Sequence, residues 1–542
     1  MGWSSPRRSR DRCGAGGRAL LLAALALVPA RAWAQGSALV TIGSPAEDRL
    51  RLAQLWGADS TGGFLLRTAS TMTAPGCVAR CGLSVQWLRP ELRSVWNSAL
   101  PFSLNDGAMW AGRGASFVVA AGLRAAYGPV NVVLAPEFTY SENLPFQIFP
   151  GRQPGLSAYS SPWHLAPNSM DLPLRFGDQS VRLADLGQSS ITVYAGAVAF
   201  GGSTENQWWG PGIRNALVMS DNAEGVPHLF LRTTRPVLTP LGAVQARWIL
   251  GGLTESLYFD TTASSGLRSL SGLVLTLRPG NSRVATIGLA RVVYGDVKGR
   301  GQILGRALDV FASFQQPADS AQAGSTGRRD QILSLFGRWI FPTSGFEVYA
   351  EWARTELPRT LREFLLAPQN TQGYTLGFEW APRPSNPAYP AFRLQAELSD
   401  LEQSIAFSDR PPPPDFYAGS ATLEGYTQRG KVIGAAIGPG GSSEWLAGDV
   451  FGPTWQAGVF AGRIRWEDNA MLRQYAPNFF RHDFTIYGGV RGGVRLADWD
   501  VSAEVSAGRR FNYLFQNGMF VPGGLGTVDL TNYTFKLALS PR

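Results

Sequence analysis

The chain has 542 residues, 49 of them basic and 40 acidic, which gives a formal net charge of +9. Residues 1–34 hold six arginines and one aspartate, so the rest of the chain carries 43 basic and 39 acidic residues, a net charge of +4. This near balance argues against a nucleic-acid-binding protein. The content of glycine and aromatic residues is typical of a folded chain.

The first residues have the pattern of a secretory signal. Five arginines between Arg7 and Arg18 precede an apolar run over 19–28, and Ala32-Trp33-Ala34 is a typical cleavage site. The run is too short to span a membrane, so we predict an exported protein with a signal peptide over residues 1–34.

A short helix is predicted after the signal. Ser44 and Glu47 form a capping box, Pro45 takes the first helical position, and leucines follow up to about Gly57. We therefore predict a small, mostly helical N-terminal module over residues 35–113. Cys77 and Cys81 lie within it, and in an exported chain a local disulfide is favoured over two free thiols. No second cysteine pair is present to complete a metal site, and we predict no metal and no cofactor.

From residue 114 to residue 542 the chain alternates apolar and polar residues with a period of two, which predicts β-strands. The clearest segments are 117–127, 130–140, 346–352, 374–380, 392–398, 484–495, 499–505 and 533–539.

Alternation alone fits both a soluble sandwich and a transmembrane barrel, because each buries one face of every strand. A domain of roughly 430 residues without a linker is long for one sandwich. Aromatic residues at predicted strand ends resemble an interfacial girdle, and the polar faces mix glutamate with arginine. The aromatic residues at the predicted strand ends are Tyr127, Tyr140, Trp352, Trp380 and Trp499. We predict a large all-β, antiparallel outer-membrane β-barrel, in which about 16–20 strands fit at roughly 20–25 residues per strand and loop.

The most distinctive motif is Trp208-Trp209-Gly210-Pro211-Gly212, within the turn-rich segment 201–242. Adjacent strand side chains point to opposite faces, so both indoles cannot hide on one face of a strand, and Gly-Pro-Gly sets a fixed turn. A rigid turn that displays two aromatics suits the flat face of a sugar ring. The alternative is that the pair packs under a loop as a satellite cluster.

Polar residues near this motif complete a candidate polysaccharide-binding site around Trp208 and Trp209. Asn206, Asn215 and Asn222 are candidates for hydrogen bonds to hydroxyl groups, and Arg214 is a candidate partner for a uronate carboxylate. Each also has a structural alternative, since asparagines suit turns and an arginine can brace a barrel lumen.

Signals for catalysis are weak. The three histidines have no metal-ligand spacing, and no nucleophile elbow or P-loop occurs. Neither His482 beside Asp483 nor the pair Glu347 and Glu351, which share one strand face, is strong evidence for a hydrolase. We predict that the chain is not an enzyme.

Several segments resemble the capsule assembly Wzi family of outer-membrane proteins. The segments are 105–114 (NDGAMWAGRG), 171–177 (DLPLRFG), 187–189 (GQS), 208–212 (WWGPG), 220–223 (SDNA), 347–352 (EVYAEW) and 434–441. The resemblance covers most of the chain in order. It implies an eighteen-stranded barrel with a small N-terminal helical module that acts in surface attachment of capsular polysaccharide.

Two functions follow from these observations. The first is a non-enzymatic outer-membrane protein that anchors or organises exported capsular or extracellular polysaccharide, embedded in outer-membrane lipid as a monomer. The alternative is a porin-like channel for small or saccharide solutes, which the charged lumen would also suit. Nucleic acid is not an expected partner.

Overall fold

The computed structural model describes most of the chain after the signal region. The described residues are 39–57, 64–73, 82–102, 104–149, 155–164, 169–261, 266–280, 284–312, 329–355, 361–366, 369–386, 388–403, 415–419, 421–475, 481–516 and 528–542. The predicted signal over residues 1–34 lies outside them. So do Cys77 and Cys81, and with them the predicted disulfide.

Eighteen strands within the described residues form one closed antiparallel barrel. They are β1 (Ser84–Asn97), β2 (Gly114–Tyr127), β3 (Val130–Leu134 and Glu137–Ser141), β4 (Val181–Asp185 and Ser190–Ala195), β5 (Val198–Ser203), β6 (His228–Thr233 and Val237–Thr239), β7 (Gly242–Leu253), β8 (Arg268–Pro279), β9 (Ala285–Asp296), β10 (Asp330–Phe341), β11 (Phe346–Thr355), β12 (Gln372–Trp380), β13 (Ala391–Asp400), β14 (Ser442–Phe451), β15 (Trp455–Trp466), β16 (Asp483–Arg495), β17 (Trp499–Phe511) and β18 (Leu530–Pro541). The predicted barrel is confirmed, and so is the strand number that the family resemblance implies.

Each strand pairs with its neighbours in the chain, and β1 closes the barrel by pairing with both β2 and β18. Short turns at one end join β2 to β3, β4 to β5 and so on around the barrel. Longer loops at the other end include 142–180 and 401–441. Outer-membrane barrels have short periplasmic turns and long extracellular loops, so the long-loop end faces the cell exterior.

The predicted end of the N-terminal module at residue 113 is wrong, because the barrel already begins at Ser84. Pro90 lies inside β1, and the pairing with β2 shifts register between Leu88 and Glu91. A β-bulge accepts a proline but breaks the alternation of side chains. The period-two pattern therefore does not reveal this strand in the sequence.

The barrel wall is apolar outside and polar inside. On β10, Leu335 and Trp339 are exposed, whereas Ser334 and Arg338, at alternate positions of the strand, are buried. Tyr127, Trp380 and Trp499 are exposed at the short-turn end, while Tyr140 and Trp352 are half-buried near the long-loop ends of their strands. An outer apolar band with aromatic residues at its edges is what a lipid-facing wall requires.

In the part of the chain that the structure describes, the α-helices are few and short: α1 (Pro45–Leu55), α2 (Ala69–Met72), α3 (Leu361–Leu366) and α4 (Asp468–Tyr475). The predicted N-cap of α1 is confirmed, since Ser44 Oγ accepts a hydrogen bond from Glu47 N at 3.3 Å and Pro45 is the first helical residue. The reciprocal bond of the predicted capping box does not form, because Glu47 Oε2 accepts from Gly43 N and Ser44 N donates to Thr41 O. Among the described residues no helix has the length and hydrophobicity to cross a membrane.

Candidate functional site

Helix α1 lies inside the barrel at the short-turn end. Leu52 and Leu55 pack on Ile340, Ala381 and Phe451, which belong to strands or turns at that end. Trp56 Nε1, just beyond the helix, donates a 2.7 Å hydrogen bond to Ala381 O. The N-terminal segment therefore occupies the periplasmic mouth.

Ion pairs hold α1 against the polar inner wall. Arg51 Nη2 lies 2.6 Å from Glu347 Oε1 on β11, and Arg338 of β10 contacts the other oxygen of that carboxylate. Arg393 of β13 pairs with Asp48 at 3.0 Å. Glu347, which shares a strand face with Glu351, is thus a partner of two arginines.

The double tryptophan lies deep in the lumen, not on a displayed loop. Trp208 and Trp209 are each 1% exposed and pair with Arg67 and Leu66 as a two-residue antiparallel strand. The Arg67 guanidinium stacks 4.7 Å from the centre of the Trp208 ring, and Trp209 Nε1 donates to Gln207 Oε1 at 3.0 Å. Of the two alternatives for this motif, packing of the pair is the one observed, because a partner segment some 140 residues earlier in the chain covers both indoles.

The other predicted polysaccharide-binding residues bond to the protein itself. Asn206 Nδ2 donates to Ala223 O at 2.8 Å, Asn222 Nδ2 to Val432 O at 2.9 Å, and Asn215 Nδ2 to Ser443 Oγ at 3.2 Å. Half-buried Arg214 stacks over Trp445 at 5.4 Å and lines a lumenal cavity of about 260 Å³. The N-terminal segment with α1 and the loop 204–227 together fill the lumen, and we call them the plug. All six residues lie within or beside the plug, where they brace it. A role for them in polysaccharide binding stays a prediction.

The Gly-Pro-Gly turn is anchored by two lumenal carboxylates. Glu397 of β13 accepts hydrogen bonds from the backbone N–H groups of residues 213, 214 and 215 at 2.5–3.1 Å. Glu351 of β11 accepts from Leu217 N at 3.2 Å. A Cβ on Gly210, whose φ is +113°, would lie 2.7 Å from Glu351 Oε2, so the close approach requires glycine.

A chain of four aromatic rings, here called the aromatic row, lies across the loops of the long-loop end. Trp110 comes from the β1–β2 loop, Phe176 and Tyr159 from the β3–β4 loop, and Tyr258 from the β7–β8 loop. The ring centres of Trp110 and Phe176 are 4.6 Å apart, those of Phe176 and Tyr258 5.7 Å, and those of Tyr258 and Tyr159 5.6 Å. All four side chains are half-buried, so each keeps part of its surface accessible.

Charged groups border the aromatic row. Tyr159 Oη donates to Asp178 Oδ2 at 2.7 Å, and this hydrogen bond raises the pKa of the tyrosine. Arg175 Nη1 donates to the other oxygen of the same exposed carboxylate at 2.7 Å. Arg429 is exposed and pairs with Glu224 at 2.9 Å, and the next residue, Gly430, lies against Phe176. Apolar ring surfaces beside charged hydrogen-bonding groups suit a sugar chain, which presents C–H faces and hydroxyl edges.

The aromatic row is not among the binding residues predicted from the sequence. Trp110 and Phe176 fall within the segments that resemble the Wzi family, but neither they nor Tyr159 and Tyr258 were identified as binding residues. They come from three separate loops, so no local spacing brings them together. Tertiary packing of the loops was needed to find them.

The residues considered for metal binding or hydrolysis have structural roles in the described part of the chain. The described residues hold no cluster of three or more His, Cys, Asp or Glu side chains suited to a metal ion. His482 Nδ1 contacts Asp468, whereas its chain neighbour Asp483 pairs with Arg510 at 2.7 Å. His482 lies in the β15–β16 loop just before β16 begins at Asp483, and the two side chains have separate partners.

A closed barrel with an apolar outer band and a plugged lumen defines an outer-membrane β-barrel protein. The family model described as "Capsule assembly protein Wzi" matches residues 92–447. The chain belongs to this capsule assembly Wzi family.

A solved structure with a TM-score above 0.5 supports the barrel fold. Wzi of Escherichia coli, described as a carbohydrate-binding β-barrel and an outer-membrane protein involved in group 1 capsule assembly, is 10% identical, with 93% of this chain and 99% of that chain covered and a TM-score of 0.56. OccAB4 of Acinetobacter baumannii (9% identity, 85% and 98% covered, TM-score 0.37) and a BenF-like porin from Pseudomonas fluorescens Pf-5 (7%, 84% and 98%, 0.36) also match. No curated protein sequence matches the chain.

Proposed function

We propose that this protein binds exported capsular or extracellular polysaccharide at the cell surface and anchors or organises it there, without catalysing a reaction. The observation that carries the proposal is the aromatic row, which presents accessible ring surface at the extracellular end of the barrel. Membership of the capsule assembly Wzi family supports it, as does the description of the E. coli protein as carbohydrate-binding.

The first experiment deletes the gene and measures how surface polysaccharide divides between cells and medium. A shift into the medium with total synthesis unchanged is expected. Complementation with a Trp110→Ala, Tyr258→Ala double variant should leave the polysaccharide in the medium, whereas Tyr389→Ala should restore retention. Tyr389 is an exposed aromatic at the short-turn end and therefore a matched control. Full retention by a folded double variant would contradict the proposal.

A porin-like channel is the alternative, and one observation favours it. Cavities of about 180 and 260 Å³ share lining residues, among them Thr41, Glu91 and Ser502, between the N-terminal segment and the barrel wall. If they join into a solute path, the purified protein should conduct ions in planar bilayers. If the protein instead anchors polysaccharide, the lumen should stay closed under the same conditions, because α1 and the loop 204–227 fill it.

A further inference from the structure

Two loop segments at the long-loop end fold back onto the outside of the barrel. The first, residues 297–312, contains three short 3₁₀ turns after β9, and the second is helix α3 in the β11–β12 loop. We call them the collar segments. Each covers an arginine that points outward from the wall.

Arg291 of β9 lies on the outer face. It is in phase with Ile287 and Leu289, which are exposed, while Ala290 and Val292 on the alternate positions are buried in the lumenal core. An arginine on the lipid-facing wall of a barrel is unfavourable unless its guanidinium finds hydrogen-bond partners. Here the side chain is nonetheless buried.

Gln331 of β10 and residues 297–312 supply these partners, and Gln331 Oε1 accepts from Arg291 Nη2 at 2.7 Å. The Arg291 guanidinium donates to Val310 O at 2.9 Å and to Ala312 O at 2.7 Å. Trp248 Nε1 of β7 and Ser271 Oγ of β8 both donate to Ala307 O, at 3.1 and 3.0 Å. Since Ser271 and Trp248 share the outer face through their register with Arg291 and its neighbours, the segment is held against the outer wall at three points.

Helix α3 repeats the arrangement. Arg354 of β11 stands in one cross-strand row with Leu333 and Arg291, so both arginines point outward at the same register. The Arg354 guanidinium is buried and stacks 5.5 Å from the ring centre of Phe364. Two separate loops therefore cover two outward arginines at the exterior edge of the wall.

The far side of each collar segment is apolar and uncovered. In the first segment Leu304, Leu308 and Phe311 are 65%, 71% and 61% exposed. In α3, Leu361 and Leu365 are 72% and 68% exposed. These stripes continue the exposed apolar band of the wall below them, which includes Leu289 and Leu335.

Cations border this surface. Lys298, one of only three lysines in the chain, and Arg300 are exposed at the start of the first segment. The acidic Asp309 within the first segment is buried and paired with Arg329 at 2.9 Å. Among the described residues, the exposed charge beside the apolar stripe of the first segment is therefore positive.

We propose that the collar segments lie in the outer leaflet and bind its anionic, phosphate-bearing glycolipid, with the leucine stripes against acyl chains and Lys298 and Arg300 beside phosphate groups. Continuity with the lipid-facing wall identifies lipid as the occupant, and the positive charge favours an anionic headgroup. A second copy of the chain is the competing occupant. This surface lies on the outer wall, apart from the aromatic row, so the proposal is independent of polysaccharide binding.

The test places the photo-cross-linker p-benzoylphenylalanine at single positions in the full chain, reconstituted in vesicles of phosphatidylcholine with lipopolysaccharide. Leu308 and Leu365 are the test positions. Leu335 on the wall is the positive control, and Leu257, 91% exposed in the β7–β8 loop that carries Tyr258, is the negative control. Trypsin resistance confirms folding, and Leu304 replaces Leu308 if that variant does not fold.

Lipid adducts at Leu308 and Leu365 comparable to those at Leu335, and none at Leu257, are expected. Lys298→Gln with Arg300→Gln should lower the ratio of lipopolysaccharide to phosphatidylcholine adducts at Leu308, about fivefold for each cation removed. Arg235→Gln with Arg383→Gln, two exposed cations at the short-turn end, should leave the ratio unchanged. Cross-links between two copies, absence of lipid adducts at both test positions, or a ratio insensitive to Lys298 and Arg300 would overturn the proposal.

Discussion

Arg51 on the plug helix and Glu347 on the barrel wall form a fully buried ion pair, with Arg51 Nε and Nη2 at 3.0 and 2.6 Å from the same carboxylate oxygen. The pair joins residues 296 positions apart in the chain. It therefore connects the N-terminal segment to β11 and keeps the helix in the periplasmic mouth.

Replacing Arg51 by alanine should undock the plug while the barrel stays intact. Removing one partner of a buried ion pair costs up to about 3–5 kcal/mol when the remaining charge is left uncompensated. The loss should lie below that range here, because Glu347 keeps Arg338, although Glu379 also loses the arginine that lies 3.5 Å from it. We expect intermittent ion conductance in planar bilayers and faster proteolysis within residues 39–57. The exposed pair of Arg495 and Asp500, 3.9 Å apart, provides the control. Arg495→Ala should cost no more than about 1 kcal/mol and produce neither effect.

The double tryptophan should prove to be a stability element. Trp209→Ala removes an indole that reaches the wall near Gly272 and is expected to cost about 3–5 kcal/mol of stability. The denaturant midpoint should fall, while the polysaccharide affinity of the molecules that remain folded should stay unchanged. Trp110→Ala is the matched comparison, with the opposite result in both measurements. A large loss of affinity in a fully stable Trp209→Ala variant would instead restore the sugar-stacking interpretation.

Much of the wall is predictable from sequence, because strand alternation is a local property. Segments such as Phe346 to Trp352 alternate as the barrel requires, and only the bulge near Pro90 hides β1. The contents of the lumen are not local: Trp208 is buried by pairing with Arg67, and Glu351 becomes an anchor for Leu217 only after the barrel closes. The aromatic row fails prediction for the same reason, since its rings meet through the packing of three loops.

Asp171 is not part of the aromatic row but should hold one of its rings, Tyr258, in position. Its carboxylate accepts hydrogen bonds from Ser256 N and Ser256 Oγ, both at 2.6 Å, and so connects the β3–β4 loop to the loop that carries Tyr258. Asp171→Ala should release residues 254–261, which faster hydrogen exchange would report. Polysaccharide affinity should fall about tenfold, or ~1.4 kcal/mol, although every ring is retained. Asp171→Asn keeps one acceptor oxygen, so its polysaccharide affinity and hydrogen-exchange rate should lie between those of the parent and those of Asp171→Ala.

The free energy of unfolding of the protein should decrease as pH rises, because of the buried carboxyl group of Asp221. Burial, together with the charges of Glu47 and Asp106, raises the pKa of this carboxyl to about 8, and its Oδ1 has no hydrogen-bond partner among the described residues. The folded state holds the proton more tightly than the unfolded state, whose pKa is near 3.8. The unfolded state therefore binds fewer protons between these two values, and stability falls as pH rises from about 4 to about 8.

Asp221→Asn removes the ionisation and should flatten this dependence. We expect the variant to match the parent near pH 4 and to exceed it by a few kcal/mol near pH 8, since each unit of pKa shift corresponds to about 1.4 kcal/mol. Denaturant midpoints at pH 5 and pH 8 measure the difference. Glu444→Gln is the control, because that side chain is largely exposed beside Arg463 and its removal should leave the pH dependence intact. Parallel pH profiles for the parent and Asp221→Asn would show that the carboxyl ionises in the folded state as easily as in water.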